Sequence, residues 1–285
     1  MLLPTPKISL IGVYFGPLPF YSSLYFKSAG ANPSIDFLIV SDQAPPVPLP
    51  ANVRFLSVDR KAFENMTSEK LGRKVRVASP RKLCDYRPAY GRIFQDYLTD
   101  SDYWGHIDLD MVWGNIVKFV RDPLACGYEI ISGNARHLCG PFTIFRNNKR
   151  LRELFLKIPD LFNKLNSFEQ FAMDEREFDF IVKRSGISIA SSCSYHTRHN
   201  LSLAEFSRFV SDEPIYQRII KAHELVDLRQ MRLPSLWRSG EVWTCLPSEK
   251  PDRIKLMNKM FVHLSVRKVS VTVDFENDLV LPRQG

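Results

Sequence analysis

Short apolar strand patterns alternate with helical patterns through the first half of this 285-residue chain, and this alternation constrains the fold most. The segments KISLIGVY, IDFLIVSD, VRFLSV and YWGHID have the length and β-rich composition of buried strands. Between them, FYSSLYFKSAG and AYGRIFQDYL carry apolar residues at helical spacing, with Pro88 at the start of the second helix. Alternating strands and helices predict an α/β fold with a mixed, mostly parallel central sheet flanked by helices.

The second half of the chain changes its pattern. YEIISG and FTIFR predict two more strands, and NKRLRELFLKI and SFEQFAMDEREFDFIVKRSG predict two helices. From about Ile187 onward the segments are short and β-rich, and Ser239-Gly240 predicts a hairpin turn. We therefore expect a single domain, 1–285, with an irregular C-terminal part packed on the sheet.

The charge and cysteine content narrow the class of protein. The formal net charge of +8 favours acidic partners, although a merely solvated basic surface fits equally well. The basic residues are dispersed, so we do not expect a nucleic-acid partner. Five scattered cysteines without a CxxC pair suggest a reducing cytosol, and no apolar run is long enough to span a membrane.

Two aspartates stand in the apolar stretch YWGHIDLDMVWGNI. In an extended chain Asp108 and Asp110 project to one side and Leu109 to the other. Neighbouring carboxylates repel each other, and a hard divalent cation such as Mg²⁺ or Mn²⁺ relieves that repulsion. A D-x-D triplet is also common in solvated loops, but the apolar strand before it favours a metal site at the carboxyl end of a strand. An acid–base pair for hydrolysis would need a wider separation.

Four segments taken together resemble the GT-A glycosyltransferases, in particular a bacterial group associated with lipopolysaccharide and capsule synthesis. These segments are IGVYFGPLPFYSSLYFKSAGANPSIDFLIVSD, KLCDYRPAYGRIF, YWGHIDLDMVWGNI and CGPFTIFRN. A late segment, FVHLSVRK, is similar to the histidine-plus-basic segment of such enzymes. The resemblance implies a GT-A-like nucleotide-diphospho-sugar transferase fold, with 1–115 as the nucleotide-sugar half and 116–285 as the acceptor half with the C-terminal segment.

The resemblance also implies donor-side roles for particular residues. Asp108, Asp110 and His263 would hold Mn²⁺ or Mg²⁺ against the diphosphate of a nucleotide-sugar, most simply a UDP-sugar. The other donor contacts implied are Phe15, Gly16 and Asp42 for the nucleotide, Lys82, Asp85 and Arg87 for the phosphates or sugar, and Arg267 and Lys268 for the diphosphate. Relatives often carry a glycine after the histidine, and this chain has none there. A buried core histidine is the other interpretation of His263.

The acceptor side is less defined by sequence. Asp174 and Glu175 are the candidates for a general base that would deprotonate an acceptor hydroxyl. They fall in a predicted helix, so the alternative is that they form its solvated face. Trp237 and Trp243 either stack on a sugar ring or pack in a hairpin.

The expected function is therefore metal-dependent transfer of a sugar from a nucleotide-sugar to a bacterial surface glycan or lipid-linked oligosaccharide. The expected location is the cytoplasm, with peripheral contact at the anionic inner face of the plasma membrane. The main alternative is a non-catalytic nucleotide- or glycan-binding module of the same fold. A nucleic-acid-binding protein and a metal-dependent phosphohydrolase are weaker alternatives.

Overall fold

A computed structural model gives the structure of the chain. It describes residues 6–19, 22–45, 48–134 and 136–191, and then the segments 195–196, 207–208, 235–238, 240–247, 254–263, 269–274 and 279–284. Contacts divide the chain into two compact units. The first contains Met1–Asp110 and Val117–Cys193, and the second contains Met111–Ile116 and Ser194–Gly285.

The described strands follow in chain order. They are β1 Ile8–Tyr14, β2 Ile35–Ser41, β3 Val53–Ser57, β4 Tyr103–Ile107, β5 Met111–Trp113, β6 Ile130–Ser132, β7 Phe142–Arg146, β8 Ile189–Ser191, β9 Tyr195–His196, β10 Ser207–Arg208, β11 Ser235–Arg238, β12 Glu241–Pro247, β13 Ile254–Lys259, β14 Phe261–His263, β15 Val269–Asp274 and β16 Leu279–Gln284.

The described helices all lie between residues 22 and 184. They are α1 Ser22–Gly30, α2 Arg60–Leu71, α3 Leu83–Tyr86, α4 Tyr90–Ile93, α5 Ile116–Ala125, α6 Lys149–Glu153, α7 Leu161–Asn166 and α8 Glu177–Arg184. Single turns of 3-10 helix occupy Pro80–Lys82, Arg87–Ala89, Gln95–Tyr97 and Leu154–Lys157.

The first unit is built on a seven-stranded sheet in the order β3-β2-β1-β4-β7-β6-β8. Six strands point the same way, and β7 is antiparallel to both of its neighbours. The predicted mixed, mostly parallel sheet of an α/β fold is therefore confirmed. The chain runs from β1 outward to β3 and then returns to place β4 on the other side of β1. The chain therefore reverses direction between β1 and β4, and α/β proteins bind ligands at the carboxyl ends of the strands beside such a reversal.

Aromatic side chains from the helices and strands fill one face of this sheet. Phe63, Tyr86, Trp104 and Phe145 are fully buried, and the Trp104 and Phe145 rings stack with 4.5 Å between centroids. Gly91 makes this packing possible, because a β-carbon there would lie 2.3 Å from the Trp104 ring. Burial of each large apolar side chain contributes about 1.5–3 kcal/mol, so this cluster fixes the helices above β4.

The segment SFEQFAMDEREFDFIVKRSG departs from its prediction. Only Glu177–Arg184 is helical, whereas the residues before it are irregular, with Ala172 at a positive φ of 50°. The interpretation of Asp174 and Glu175 as the wet face of a helix is therefore wrong. Asp174 is almost completely buried in the turn that precedes α8.

The predicted helix AYGRIFQDYL is also less regular than expected. It consists of the four-residue helix α4 and the 3-10 turn Gln95–Tyr97, after a 3-10 turn that contains Pro88. This succession of tight turns directs Arg87 toward the end of β4 while the aromatic residues pack below it.

The second unit consists of short strands where it is described. Its sheets have the orders β10-β13-β12-β11, β5-β14-β9 and β15-β16. The predicted hairpin is confirmed: β11 pairs antiparallel with β12, and Gly240 has a φ of 78° at the turn. The expectation of a single domain with halves 1–115 and 116–285 stays a prediction, and the two compact units have other boundaries.

Candidate functional site

The carboxyl ends of β1 and β2 bring Tyr14, Gly16 and Asp42 together. The backbone N–H of Gly16 donates to Asp42 Oδ1 at 2.9 Å, and the Tyr14 hydroxyl donates to the carbonyl of Pro17 at 3.1 Å. Slight burial would raise the pKa of Asp42, but hydrogen bonds from Gly16 and Gln43 outweigh it and lower the pKa. Asp42 is therefore a fixed negative charge at this edge of the sheet.

Phe15 lies in the same turn, but its side chain serves the core. It is 5% exposed and contacts the Phe63 ring edge-to-face, with 5.5 Å between centroids. Phe15 therefore anchors the loop whose backbone presents Gly16. Its predicted contact with a nucleotide stays a prediction.

Asp108 and Asp110 follow β4, which pairs with β1. Both are partly exposed, whereas Leu109 between them is 5% exposed and reaches the position of Gly12. This burial pattern agrees with the predicted alternation. Burial first, and then the negative charges of Asp110 and Asp42, raise the pKa of the Tyr14 phenol. The ends of β1, β2 and β4 thus share one acidic environment.

Arg87 links Asp108 to Asp174. Its guanidinium forms an ion pair with Asp108 Oδ1 through Nη2, and Nη1 lies 2.8 Å from Asp174 Oδ2. Burial alone would lower the pKa of Arg87, but the charges of the two aspartates outweigh it and raise the pKa well above its ordinary value. Arg87 therefore stays positively charged between two carboxylates.

Gly140 lies beside Arg87, Asp174 and Glu175. Its backbone N–H donates to Glu175 Oε1 at 2.9 Å. A β-carbon on Gly140 would lie 2.7 Å from that oxygen and 2.8 Å from Arg87 Nη1. It would also lie 3.2 Å from Asp174 Oδ2. Only glycine fits this position without displacing a charged group.

His106 lies on the same side of β4 as Asp108 and is 1% exposed. Its Nδ1 is 2.9 Å from the carbonyl oxygen of Gly140. Because a carbonyl only accepts, Nδ1 carries the proton of the neutral ring. Burial, with a smaller contribution from Arg87, lowers the pKa of His106 to about 3 against the opposing effect of the Gly140 hydrogen bond. His106 is a neutral hydrogen-bond donor that supports the Gly140 turn.

The side chains of Lys82 and Asp85 are buried, whereas a residue that contacts a donor phosphate would need some exposed surface. Their side chains are both 0% exposed, and Lys82 Nζ lies 2.8 Å from Asp85 Oδ2. The structure brings them to the irregular segment before Asp174, as described below. Their predicted role at the donor phosphates or sugar stays a prediction.

Two residues of this site were missed in the sequence: Tyr14 and His106. Tyr14 is the last residue of a predicted strand, beside the turn that was predicted to line a ligand. His106 stands two residues before Asp108, so strand alternation puts it on the same side. Position relative to the strand ends is the signal that could have identified both.

The donor atoms at the end of β4 fit a hard divalent cation. Asp108 and Asp110 offer carboxylate oxygens, which Mg²⁺ and Mn²⁺ prefer, and Mg²⁺ commonly uses one or two carboxylates with ligand phosphates. Within the described residues, no group of three or more His, Cys, Asp or Glu side chains is placed to hold a metal ion. A cation here would therefore take its further ligands from phosphate oxygens or from residues that the structure does not describe.

The remaining predicted donor residues belong to the second unit. The backbone of His263 pairs with Met111, but its side chain, like Arg267 and Lys268, lies outside the described residues. Their assignments as metal and diphosphate ligands stay predictions.

Trp237 packs in the second unit, as one of its two interpretations held, whereas the role of Trp243 stays a prediction. Trp237 is 5% exposed, and its indole N–H donates to the carbonyl of Trp113 at 2.7 Å. The indole of Trp113, which is fully buried, meets the Phe261 ring edge-to-face.

The first unit is an α/β fold with acidic residues, Asp42, Asp108 and Asp110, at the carboxyl ends of β2 and β4. Residues 10–281 match a family of unknown function (DUF6625), and the chain belongs to that family. No curated protein is significantly similar to the chain. No helix in the described part of the chain has both the length and the apolarity to cross a lipid bilayer.

Proposed function

We propose that the protein is a metal-dependent glycosyltransferase with a GT-A-like fold, which uses a nucleotide-sugar as donor. The observation that carries the proposal is the placement of Asp108 and Asp110 directly after the central strand β4, beside β1 where the chain reverses. The sheet order is compatible with such a fold, and the sequence resemblance selects it among α/β folds. A UDP-sugar is the proposed donor, and a bacterial surface glycan or lipid-linked oligosaccharide is the proposed acceptor.

In this proposal the residues at the strand ends bind the donor. Asp108 and Asp110 would hold Mn²⁺ or Mg²⁺, which when bound supplies positive charge to the departing nucleoside diphosphate. Gly16 and Asp42 would border the nucleoside, since their backbone and carboxylate line the neighbouring edge. Arg87, fixed in its charged form, would add a second positive charge beside the carboxylates, and such fixed charges stabilise a leaving group without reorganisation.

On the acceptor side, Glu175 is the more accessible of the two candidate bases. It is partly exposed, whereas Asp174 is 1% exposed and bound to Arg87. A base must reach the proton that it removes, so Glu175 is better placed once its bond to Gly140 opens.

The contacts of Asp174 and Glu175 favour a second function, which is binding without transfer. Asp174 accepts from Arg87 and Glu175 accepts from Gly140 N, so both candidate bases are engaged. This favours a nucleotide- or glycan-binding module without transfer. Metal-dependent hydrolysis of a UDP-sugar, measured as UDP release, distinguishes an enzyme from such a module.

The test is a thermal-shift series with UDP-, GDP- and CMP-linked sugars, with and without Mn²⁺. A ligand that binds only the folded state raises the unfolding temperature. We expect a Mn²⁺-dependent shift with UDP-sugars that Asp110→Ala abolishes. Asp122→Ala, a change at a solvent-exposed carboxylate of α5, is the control and should keep the shift. No shift with any of these donors, or an undiminished shift in Asp110→Ala, would contradict the proposal.

A further inference from the structure

The buried ion pair of Lys82 and Asp85 forms further hydrogen bonds with the backbone of one segment, residues 169–173. An ion pair removed from water is favourable only when additional partners satisfy its free donors and acceptors. Lys82 Nζ also donates to the carbonyl of Glu169 at 2.5 Å. Asp85 accepts from the backbone N–H of Phe171 at 3.0 Å and of Met173 at 3.2 Å.

These contacts enclose an irregular piece of backbone. The Lys82 ammonium lies 4.7 Å from the centroid of the Phe171 ring, and Ala172 between the two bound amides has a φ of 50°. A non-glycine residue in this conformation is held there by its surroundings, because the left-handed region is unfavourable for it. We call residues 169–175 the clamped segment.

The clamped segment ends in the two acidic residues of the candidate site. Asp174 binds Arg87, which in turn binds Asp108, and Glu175 binds the backbone of Gly140. The contacts therefore run continuously from the buried ion pair to the carboxylate at the end of β4.

We propose that Lys82 and Asp85 are positioning residues that hold the clamped segment, so that Asp174 meets Arg87 and Glu175 meets Gly140. The sequence resemblance predicts instead that Lys82 contacts the donor. The Lys82 ammonium is fully buried and already bound to Asp85 and Glu169, so it has no exposed surface to offer a donor in this structure. Its catalytic consequence rests on the proposed function, whereas its structural consequence does not.

The structural consequence is tested by amide hydrogen exchange. The double change Lys82→Met/Asp85→Leu removes both charges together, and replacing a whole buried pair by apolar residues is often tolerated. It also removes the acceptor for Phe171 and Met173, so we expect exchange in the clamped segment to rise about tenfold or more while α2 is unchanged. Unchanged exchange in the clamped segment would overturn the proposal.

Two further variants keep the test decisive. Lys82→Met/Asp85→Asn retains an acceptor oxygen and should give a smaller increase, and it replaces the first variant if that one does not fold. Lys70→Met/Asp96→Asn removes a more exposed ion pair on another part of the first unit and should leave the clamped segment unchanged. An equal increase in this control would also contradict a specific role for Lys82 and Asp85.

The catalytic consequence is tested with UDP and Mn²⁺. For Lys82→Met/Asp85→Asn we expect the Kd of UDP to change by less than about threefold, while kcat for UDP-sugar turnover falls about tenfold or more. A loss of UDP affinity as large as the loss of kcat would show a donor contact and overturn the positioning role. If the wild-type protein binds no nucleotide, the proposed function fails, and the exchange measurement still decides the positioning role.

Discussion

Arg87 and Asp174, 87 positions apart in the sequence, form an ion pair of 2.8 Å in which Asp174 has almost no exposure. The second carboxylate on Arg87, Asp108, is more exposed, with 22% of its side chain accessible. One end of the guanidinium is thus held by the buried Asp174, and its other end meets the more exposed Asp108. This arrangement joins the irregular segment before α8 to the end of the central strand.

The two aspartates should differ in their effect on stability. Asp174→Ala leaves the Arg87 charge without its buried partner, and we expect a loss of about 3–5 kcal/mol in the free energy of unfolding. Asp108→Ala should cost less, about 1–3 kcal/mol, because Asp174 remains bound to Arg87. Urea denaturation measures both values, with Asp122→Ala as an exposed control expected within about 0.5 kcal/mol of wild type. A larger loss for Asp108→Ala would contradict the inferred anchoring.

Gly140 should tolerate no side chain. The added methyl of Gly140→Ala would press on Glu175 and Arg87, so we expect a loss of about 1–3 kcal/mol and a displaced Glu175. Gly133→Ala is the matched control, because its methyl meets the Cys139 sulfur at 3.2 Å and no charged group. Chemical denaturation of the two variants gives the comparison. Equal losses would show that the charged cluster does not restrict position 140.

The central sheet could be predicted from sequence because its strands carry their own signals. β1 and β2 are mostly apolar, with Ser9 and Asp36 as polar interruptions, which is typical of strands buried on both faces, and turn residues bound them. Asp42 and Asp108 follow strands, so parallel pairing alone predicts that they lie at one edge. This part of the site needed no long-range information.

The clamped segment could not be predicted because its conformation comes from distant contacts. Phe171 and Phe178 suggest a helix by spacing, but Asp85 captures two amides of this segment from 86 and 88 positions away. Tertiary hydrogen bonds thus override the helical periodicity of the sequence.

Helix α2, by contrast, could have been predicted from capping residues, which the strand–helix pattern did not include. Asp59 caps its first turn, and Gly72 ends it with a φ of 67°.

Cys84, Cys126 and Cys139, the cysteines whose side chains the structure describes, should differ in their reactivity toward an alkylating reagent. Burial raises the pKa of Cys84 to about 11 and also raises the pKa of the buried Cys139. At pH 8 a thiol with that pKa is only about one-thousandth thiolate, which is the reactive form. We therefore expect iodoacetamide to label the exposed Cys126 in the native protein. Cys84 and Cys139 should react only after denaturation, as followed by peptide mass spectrometry. Native labelling of Cys84 at the rate of Cys126 would contradict this prediction.

His106 should make the fold sensitive to mild acid. Its folded-state pKa of about 3 lies below the ordinary value of 6.5, so between these values the unfolded chain binds more protons. Stability from the neutral ring is therefore fully present above pH 6.5 and decreases as the pH falls, by about 1.4 kcal/mol per pH unit.

The measurement compares wild type with His106→Asn, which keeps an amide donor for the Gly140 carbonyl but does not titrate. From pH 7.5 to pH 5.0, the difference in unfolding free energy between the two proteins should shift by about 2 kcal/mol in favour of the variant. Ile144→Val, a change at a fully buried residue of β7 that alters no titratable group, should differ from wild type by the same amount at both pH values. A difference between wild type and His106→Asn that stays constant with pH would mean that His106 titrates alike in the folded and unfolded chain, and the neutral donor beneath Asp108 would have to be abandoned.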